Sequence, residues 1–149
     1  MAYSRHKTFI ALLITILVVF SIIFLSIFMN DTNAVEIRGE KMAIEKVTKP
    51  SGHYKGLSNR DYLCWDCGML FVFPRREVRE FVMRDMNFAL DIIFITDNKI
   101  IRIAEKLRPE GEDPLAVYSS MEPVDLVLEV NGGYCEDKGI EVGDVIKLK

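Results

Sequence analysis

Hydrophobic positions along this chain fall into one long unbroken run and a series of short ones. Phe9 to Met29 gives 21 residues without a charge, with Thr15, Ser21 and Ser26 as its polar members. At about 1.5 Å per helical residue, such a run spans the roughly 30 Å hydrocarbon layer of a bilayer. The apolar region of a cleaved signal peptide is shorter, about 7 to 15 residues, and ends at a small-residue site. Thr32-Asn33-Ala34 is a weak site of that kind, so the run is expected to be a retained signal anchor, a single-pass transmembrane helix over 9–29. Residues 1–8 form a short basic N-terminus. Arg5, His6 and Lys7 before the run, against Asp31 after it, favour an N-terminus inside and a C-terminal domain outside the cytoplasm; Arg38 and Lys41 weigh the other way.

Beyond the anchor, residues 30–41 read as a polar linker, with the domain beginning near Met42. Met42, Ile44 and Val47 alternate as a first strand, broken by Pro50-Ser51-Gly52. Ser58, with Asp61 three residues on, predicts a capped helical turn between Gly56 and Cys64. Met69 to Phe73 is apolar at every position, the pattern of a strand covered on both faces, and Pro74 is expected to stop it. Glu80 to Met83 reads as a further strand. Ile92 to Thr96 and Lys99 to Ile103 flank Asp97-Asn98, two residues that tolerate positive φ, which predicts a type I′ hairpin. Breaker-rich Glu105 to Leu115 reads as a loop. Val124 to Val130 predicts a strand, Asn131-Gly132-Gly133 a turn, Tyr134 to Lys138 one helical turn closed by Gly139, and Val145 to Leu148 a last strand. The sum is a mainly β domain with minor helix over 42–149, a small antiparallel or mixed barrel or sandwich.

Composition narrows the functional classes. Hydrophobic residues make up 50% of the chain, too many for disorder. Of 19 basic side chains 17 follow the apolar run, against 22 acidic ones, so the domain lacks the overall basic balance that displaces counterions from nucleic acid. No G-x-S-x-G, P-loop or G-x-G-x-x-G is present, and His53 is the one histidine after the apolar run, which leaves serine-nucleophile and nucleotide chemistry without their parts.

The ordered series Gly56-Leu57, Gly68 to Pro74, Met83, Leu90 to Ile95, Leu128 to Asn131, Gly139-Ile140 and Gly143-Asp144-Val145 resembles the uncharacterised family called domain of unknown function 192, or uncharacterised protein family 0127. The resemblance covers roughly Met42 to Leu148. It implies a compact, largely β, extracytoplasmic domain behind a signal or membrane helix, with no established catalytic residue, substrate or cofactor. Arg84 to Asn87 and Ala89 depart from the family pattern, and Cys64, Cys67 and Cys135 are additions to it.

Two acids stand out. Asp91 and Glu129 each sit inside an apolar strand, where an unpaired carboxylate costs several kcal/mol. Asp91 is either a ligand-binding carboxylate or one satisfied by backbone N–H groups, Arg60, Arg84 or Lys55. Glu129 either faces a site or simply points outward. If the two converge, a metal or acid–base site follows. Cys64-Trp65-Asp66-Cys67 is a C-x-x-C, and outside the cytoplasm the expected state is a disulfide between Cys135 and either Cys64 or Cys67, with one thiol over. A zinc set would need Cys135 and His53; a copper(I) set would draw on Met69, Met83, Met86 and Met121. No cofactor is expected. The resulting expectation is a membrane-anchored, non-enzymatic binding or envelope-accessory module for a small-molecule, envelope or protein ligand, with Asp91, Glu129, Met69 and Met83 as candidate ligand-binding residues. The alternatives are a thiol-redox or metal-handling protein using the three cysteines, and a hydrolase-like enzyme using Asp91 and Glu129.

Overall fold

The computed structural model describes residues 33–149, with Val19 the one described position before them. Apart from Val19, the expected basic N-terminus, the expected transmembrane helix and residues 30–32 of the expected linker therefore lie outside the described residues. Among the described residues, no helix is long and apolar enough to cross a membrane.

The described chain runs β1 (Ala34–Ile37), β2 (Glu40–Val47), α1 (Pro50–Lys55), β3 (Cys67–Glu77), β4 (Glu80–Phe81), β5 (Leu90–Thr96), β6 (Lys99–Leu107), β7 (Tyr118–Ser119), β8 (Val124–Asn131), α2 (Tyr134–Lys138) and β9 (Ile146–Leu148). Seven strands form one sheet in the order β6-β5-β8-β3-β2-β1-β9, and β4 pairs with β7 in a separate ribbon. All pairings in the large sheet are antiparallel except β2 with β3. The sheet curls into a half-barrel, and its two edges approach at one end: Ile146 N–H donates to Asn98 O at 2.8 Å, and Ile100 N–H to Asp144 O at 2.9 Å.

Strand alternation sends every second side chain to each face, and both faces here are buried. On the inner face Val35, Ile37, Leu70, Ile93, Leu128, Val130 and Ile146 pack with Tyr134 and Cys135 of α2. On the outer face Met69, Phe71, Ile92, Phe94 and Val127 pack under Val47, Leu57, Met83 and Met86. Two covered faces explain the unbroken apolar runs Met69 to Phe73 in β3 and Ile92 to Ile95 in β5, and the buried residues on both sides of Glu129 in β8. The hairpin between β5 and β6 is the expected one, with Asp97 at φ 51° and Asn98 at φ 59°.

Four local expectations give way. The sheet begins at Ala34 rather than near Met42, because Val35 and Ile37 are fully buried in register with Met42 and Glu40. Pro50 opens α1 rather than only ending a strand; proline suits the first helical position, where an unpaired N–H is no loss. No helix forms after Ser58, whose Oγ donates instead to Arg84 O at 2.8 Å. Pro74 does not end β3, which continues to Glu77 beyond the last residue paired to β2, so the missing N–H breaks no ladder on that side.

Candidate functional site

Antiparallel register settles whether the two buried acids converge. Asp91 lies opposite Val130 and Ile92 opposite Glu129 on paired strands β5 and β8. Side chains directly opposite share a face, so Asp91 joins the inner face with Val130, and Glu129 the outer face with Ile92 and Met69. The sheet separates them. A hydrolase-like pair of Asp91 and Glu129 is excluded by that geometry.

Asp91 is fully buried and satisfied by backbone alone. Its Oδ1 accepts from Lys106 N–H at 2.7 Å and Gly133 N–H at 3.0 Å, and its Oδ2 from Cys135 N–H at 2.9 Å. None of Arg60, Arg84 or Lys55 is its partner among the described residues. The donors are presented by irregular backbone: Lys106 at φ 52° in a bulge of β6, and Gly133 at φ 88° before α2. Asp91 thus ties β5, the β6 bulge and the start of α2 together, and is a structural acid.

Glu129 has the opposite character. It is only 5% exposed, and its Oε2 has no hydrogen-bond partner. Burial pushes its pKa up to about 8, against a weaker opposing pull from Arg60, whose guanidinium is held by Glu45 at 2.7 Å. At neutral pH the group is therefore mostly a neutral acid, able to donate as well as accept.

The surroundings of Glu129 form a cleft of about 580 Å³ between α1 and the loop after it, β3, and the β4 segment. A methyl group added at Gly56 would stand 3.6 Å from the Phe71 ring and 3.9 Å from Glu129 Oε2, which puts acid and ring together at the base. Phe71 meets Phe81 edge-on at 5.1 Å between centroids, and His53 packs on Phe73 at 4.5 Å. Arg79 lies over Phe73 at 4.1 Å, bonded to Arg75 O and Glu77, while its Nε is buried without a partner. Arg84 lies over Tyr54 at 4.0 Å and donates to Tyr54 O. The cleft thus has an aromatic wall, a cationic rim and one neutral acid in its floor.

The remaining candidates separate. Met69 and Met83 are core residues of the outer face, 1% and 0% exposed, beside the Glu129 cleft rather than lining it. Cys64 and Cys67 form a disulfide with each other, their Cα atoms 5.2 Å apart, so the expected bridge to Cys135 is corrected. The reason is placement: Cys135 is buried on the inner face among the residues of α2, and the turn with Cys67 N–H donating to Cys64 O brings the other two together. The same placement parts Cys135 from His53, which lies on the aromatic wall, and Met121 is 66% exposed while Met69, Met83 and Met86 are buried. Among the described residues no group of three His, Cys, Asp or Glu side chains is arranged to hold a metal ion. With Cys64 and Cys67 bound to each other and Cys135 parted from His53, the zinc set is not assembled among the described residues.

Sequence reading singled out Glu129 but missed the residues around it. Arg79 follows Arg75 and Arg76 in one basic stretch, where sequence alone does not separate a solvated arginine from one turned into a cleft. Arg76 is solvated, exposed and paired to Asp97 and Asp125. The available signal was the alternation Val78-Arg79-Glu80-Phe81, which puts Arg79 on the same side as Phe81.

Fold and cleft together define a small, mainly β half-barrel with both sheet faces buried and a cleft on its outer face. The chain belongs to the family DUF192, described as Uncharacterized ACR, whose model matches residues 33–148. Among solved structures it is similar to a candidate transcription regulator from Sinorhizobium meliloti 1021, at 30% identity and TM-score 0.73, covering 78% of this chain and 92% of that one. It is also similar to a protein of unknown function from Novosphingobium aromaticivorans DSM 12444, at 31% identity and TM-score 0.70, covering 76% and 83%. No curated protein matches.

Proposed function

We propose that this protein is a non-enzymatic binding module, anchored by the apolar 9–29 segment with its β domain outside the cytoplasm, and that its ligand seat is the cleft over Glu129. The observation that carries the reading is the unpartnered, buried Glu129 carboxyl at the base of an open aromatic cleft. Left unpaired, such a group is a standing cost to the fold; a ligand that hydrogen-bonds it removes that cost. The ligand is a small molecule, because the cleft falls in the usual size range for such sites, about 300–1,000 Å³. The Sinorhizobium protein is described as a candidate transcription regulator; direct binding of DNA by this chain would fit poorly with 22 acidic against 17 basic side chains beyond the apolar run.

Screening the full chain in detergent micelles against fragment mixtures, with amide resonances followed by NMR, tests the seat: hits should move Gly56, Phe71 and Phe81. Hits clustering elsewhere refute it. Alkaline extraction of membranes with protease protection tests the anchor, which requires the intact chain to stay in the membrane and the β domain to be cleaved from outside.

A second reading rests on a different observation. Cys64 is exposed, and the Cys64–Cys67 bridge closes a very short loop, open to thiol exchange with a dithiol partner. That reading needs only these two cysteines; Cys135 takes no part.

A further inference from the structure

Arg79, which lines the cleft, carries a second buried polar atom without a partner, its Nε. We propose, building on the reading of the cleft as a ligand seat, that its ligand is a small organic acid with a flat apolar body. Its anionic group lies on Arg79 and Arg84, and a hydroxyl or similar group at its far end hydrogen-bonds Glu129.

Each part of that ligand answers a feature of the cleft. Arg79 and Arg84 are held in place by their carbonyl bonds to Arg75 O and Tyr54 O and by the rings beneath them. Neither needs a large rearrangement to receive an anion, and a guanidinium is suited to planar oxyanions. Lys55 and His53 also line the cleft; among the described residues Glu80 is the one other acid that does, and Glu77 pairs with Arg79 at 3.1 Å. The rim therefore repels a cation and attracts an anion. Phe71, Phe73 and Phe81 give a flat body an aromatic surface to lie on. The floor complements the rim, since a neutral acid can donate to a hydroxyl or carbonyl where a carboxylate could only accept. The charged and titratable groups facing Glu129 are Arg60 from the loop after α1, itself paired to Glu45 of β2, and, lining the same cleft, His53, Lys55, Arg79, Glu80 and Arg84; β5 and β3 present Ile92 and Met69 beside it.

Three probes of one shape separate the possibilities: 3-(4-hydroxyphenyl)propionate, its primary amide, and tyramine. Each is titrated into the full chain in detergent micelles while the amides of Gly56, Phe71 and Phe81 are followed. The propionate should shift those amides and bind at least tenfold more tightly than the amide. Arg79→Gln with Arg84→Gln should weaken it tenfold or more. Arg79→Lys, which keeps the charge but loses Nε, should weaken it several-fold, and keeps the test open if the double variant unfolds. Wild-type affinity should fall as pH rises from 6.5 to 9.5, while Glu129→Gln should bind with little pH dependence over that range. Preference for tyramine at the same amides overturns the organic-acid assignment and leaves the cleft as the seat. No shift at those amides with any probe overturns both.

Discussion

Replacing Glu129 by Gln keeps the shape of the side chain and removes its ability to ionise, so it isolates what burial of the acid costs. The unfolded chain releases the proton near the ordinary glutamate value of 4.5, whereas the folded protein holds it until about 8. Between those values the folded state binds more protons than the unfolded one, so stability falls as pH rises, by about 1.4 kcal/mol for each pH unit. The cost is near zero at pH 4, about 3 kcal/mol at pH 7, and levels off at about 5 kcal/mol above pH 8. Small domains are stable by only about 5–15 kcal/mol in all. Urea denaturation of wild type and Glu129→Gln in parallel from pH 4 to 9 reads this directly. The variant should match the wild type within about 1 kcal/mol at pH 4 and exceed it by about 3 kcal/mol at pH 7. A difference that stays flat across the range would falsify the reasoning, since it would mean that Glu129 is ionised at ordinary pH and is not desolvated.

Asp91→Ala should cost about 3–5 kcal/mol, because three backbone N–H groups lose a charged acceptor in a buried place; a thermal midpoint within 2 °C of wild type would remove Asp91 from its structural role. Denatured without reductant, the protein should show one alkylatable thiol by mass spectrometry, and folded none at neutral pH, since Cys135 is buried and its thiol pKa is pushed up by desolvation and by Asp91. Three thiols in the denatured sample would refute the Cys64–Cys67 pairing. Gly68→Ala should destabilise by about 1–3 kcal/mol, as a methyl there would stand 2.9 Å from both Glu129 O and the Leu128 side chain; unchanged urea midpoints would show that β8 has room to move.

Strands whose faces are both covered were legible because their apolar runs are unbroken, and the Asp97-Asn98 hairpin because its turn chemistry is local. β1 was hidden by its length: four residues carry too little alternation, and Arg38-Gly39 does not resemble the usual hairpin pair even though both residues adopt positive φ. Asp91 and Glu129 could be recognised as buried acids from their neighbours alone. Their separation could not, because it depends on which residues of β5 and β8 stand opposite one another, a fact of register between segments more than 30 residues apart. The same holds for the cysteines, whose pairing depends on which face of the sheet α2 covers. The cleft walls come from α1, β3 and the β4 segment, and a site assembled from distant side chains leaves no compact motif.

β1 lies between β2 and β9, the first and last strands of the sheet side by side, with Val35 opposite Leu148 and Ile37 opposite Ile146. A ribosome makes β1 more than a hundred residues before the strand that flanks it. Until Ile146 to Leu148 emerge, Val35 and Ile37 have only β2 beside them and an open edge on the other side, so the nascent domain carries a strand edge ready to pair with another chain throughout its synthesis. Deleting the last strand should therefore harm yield through aggregation during synthesis more than its three residues of lost packing would suggest.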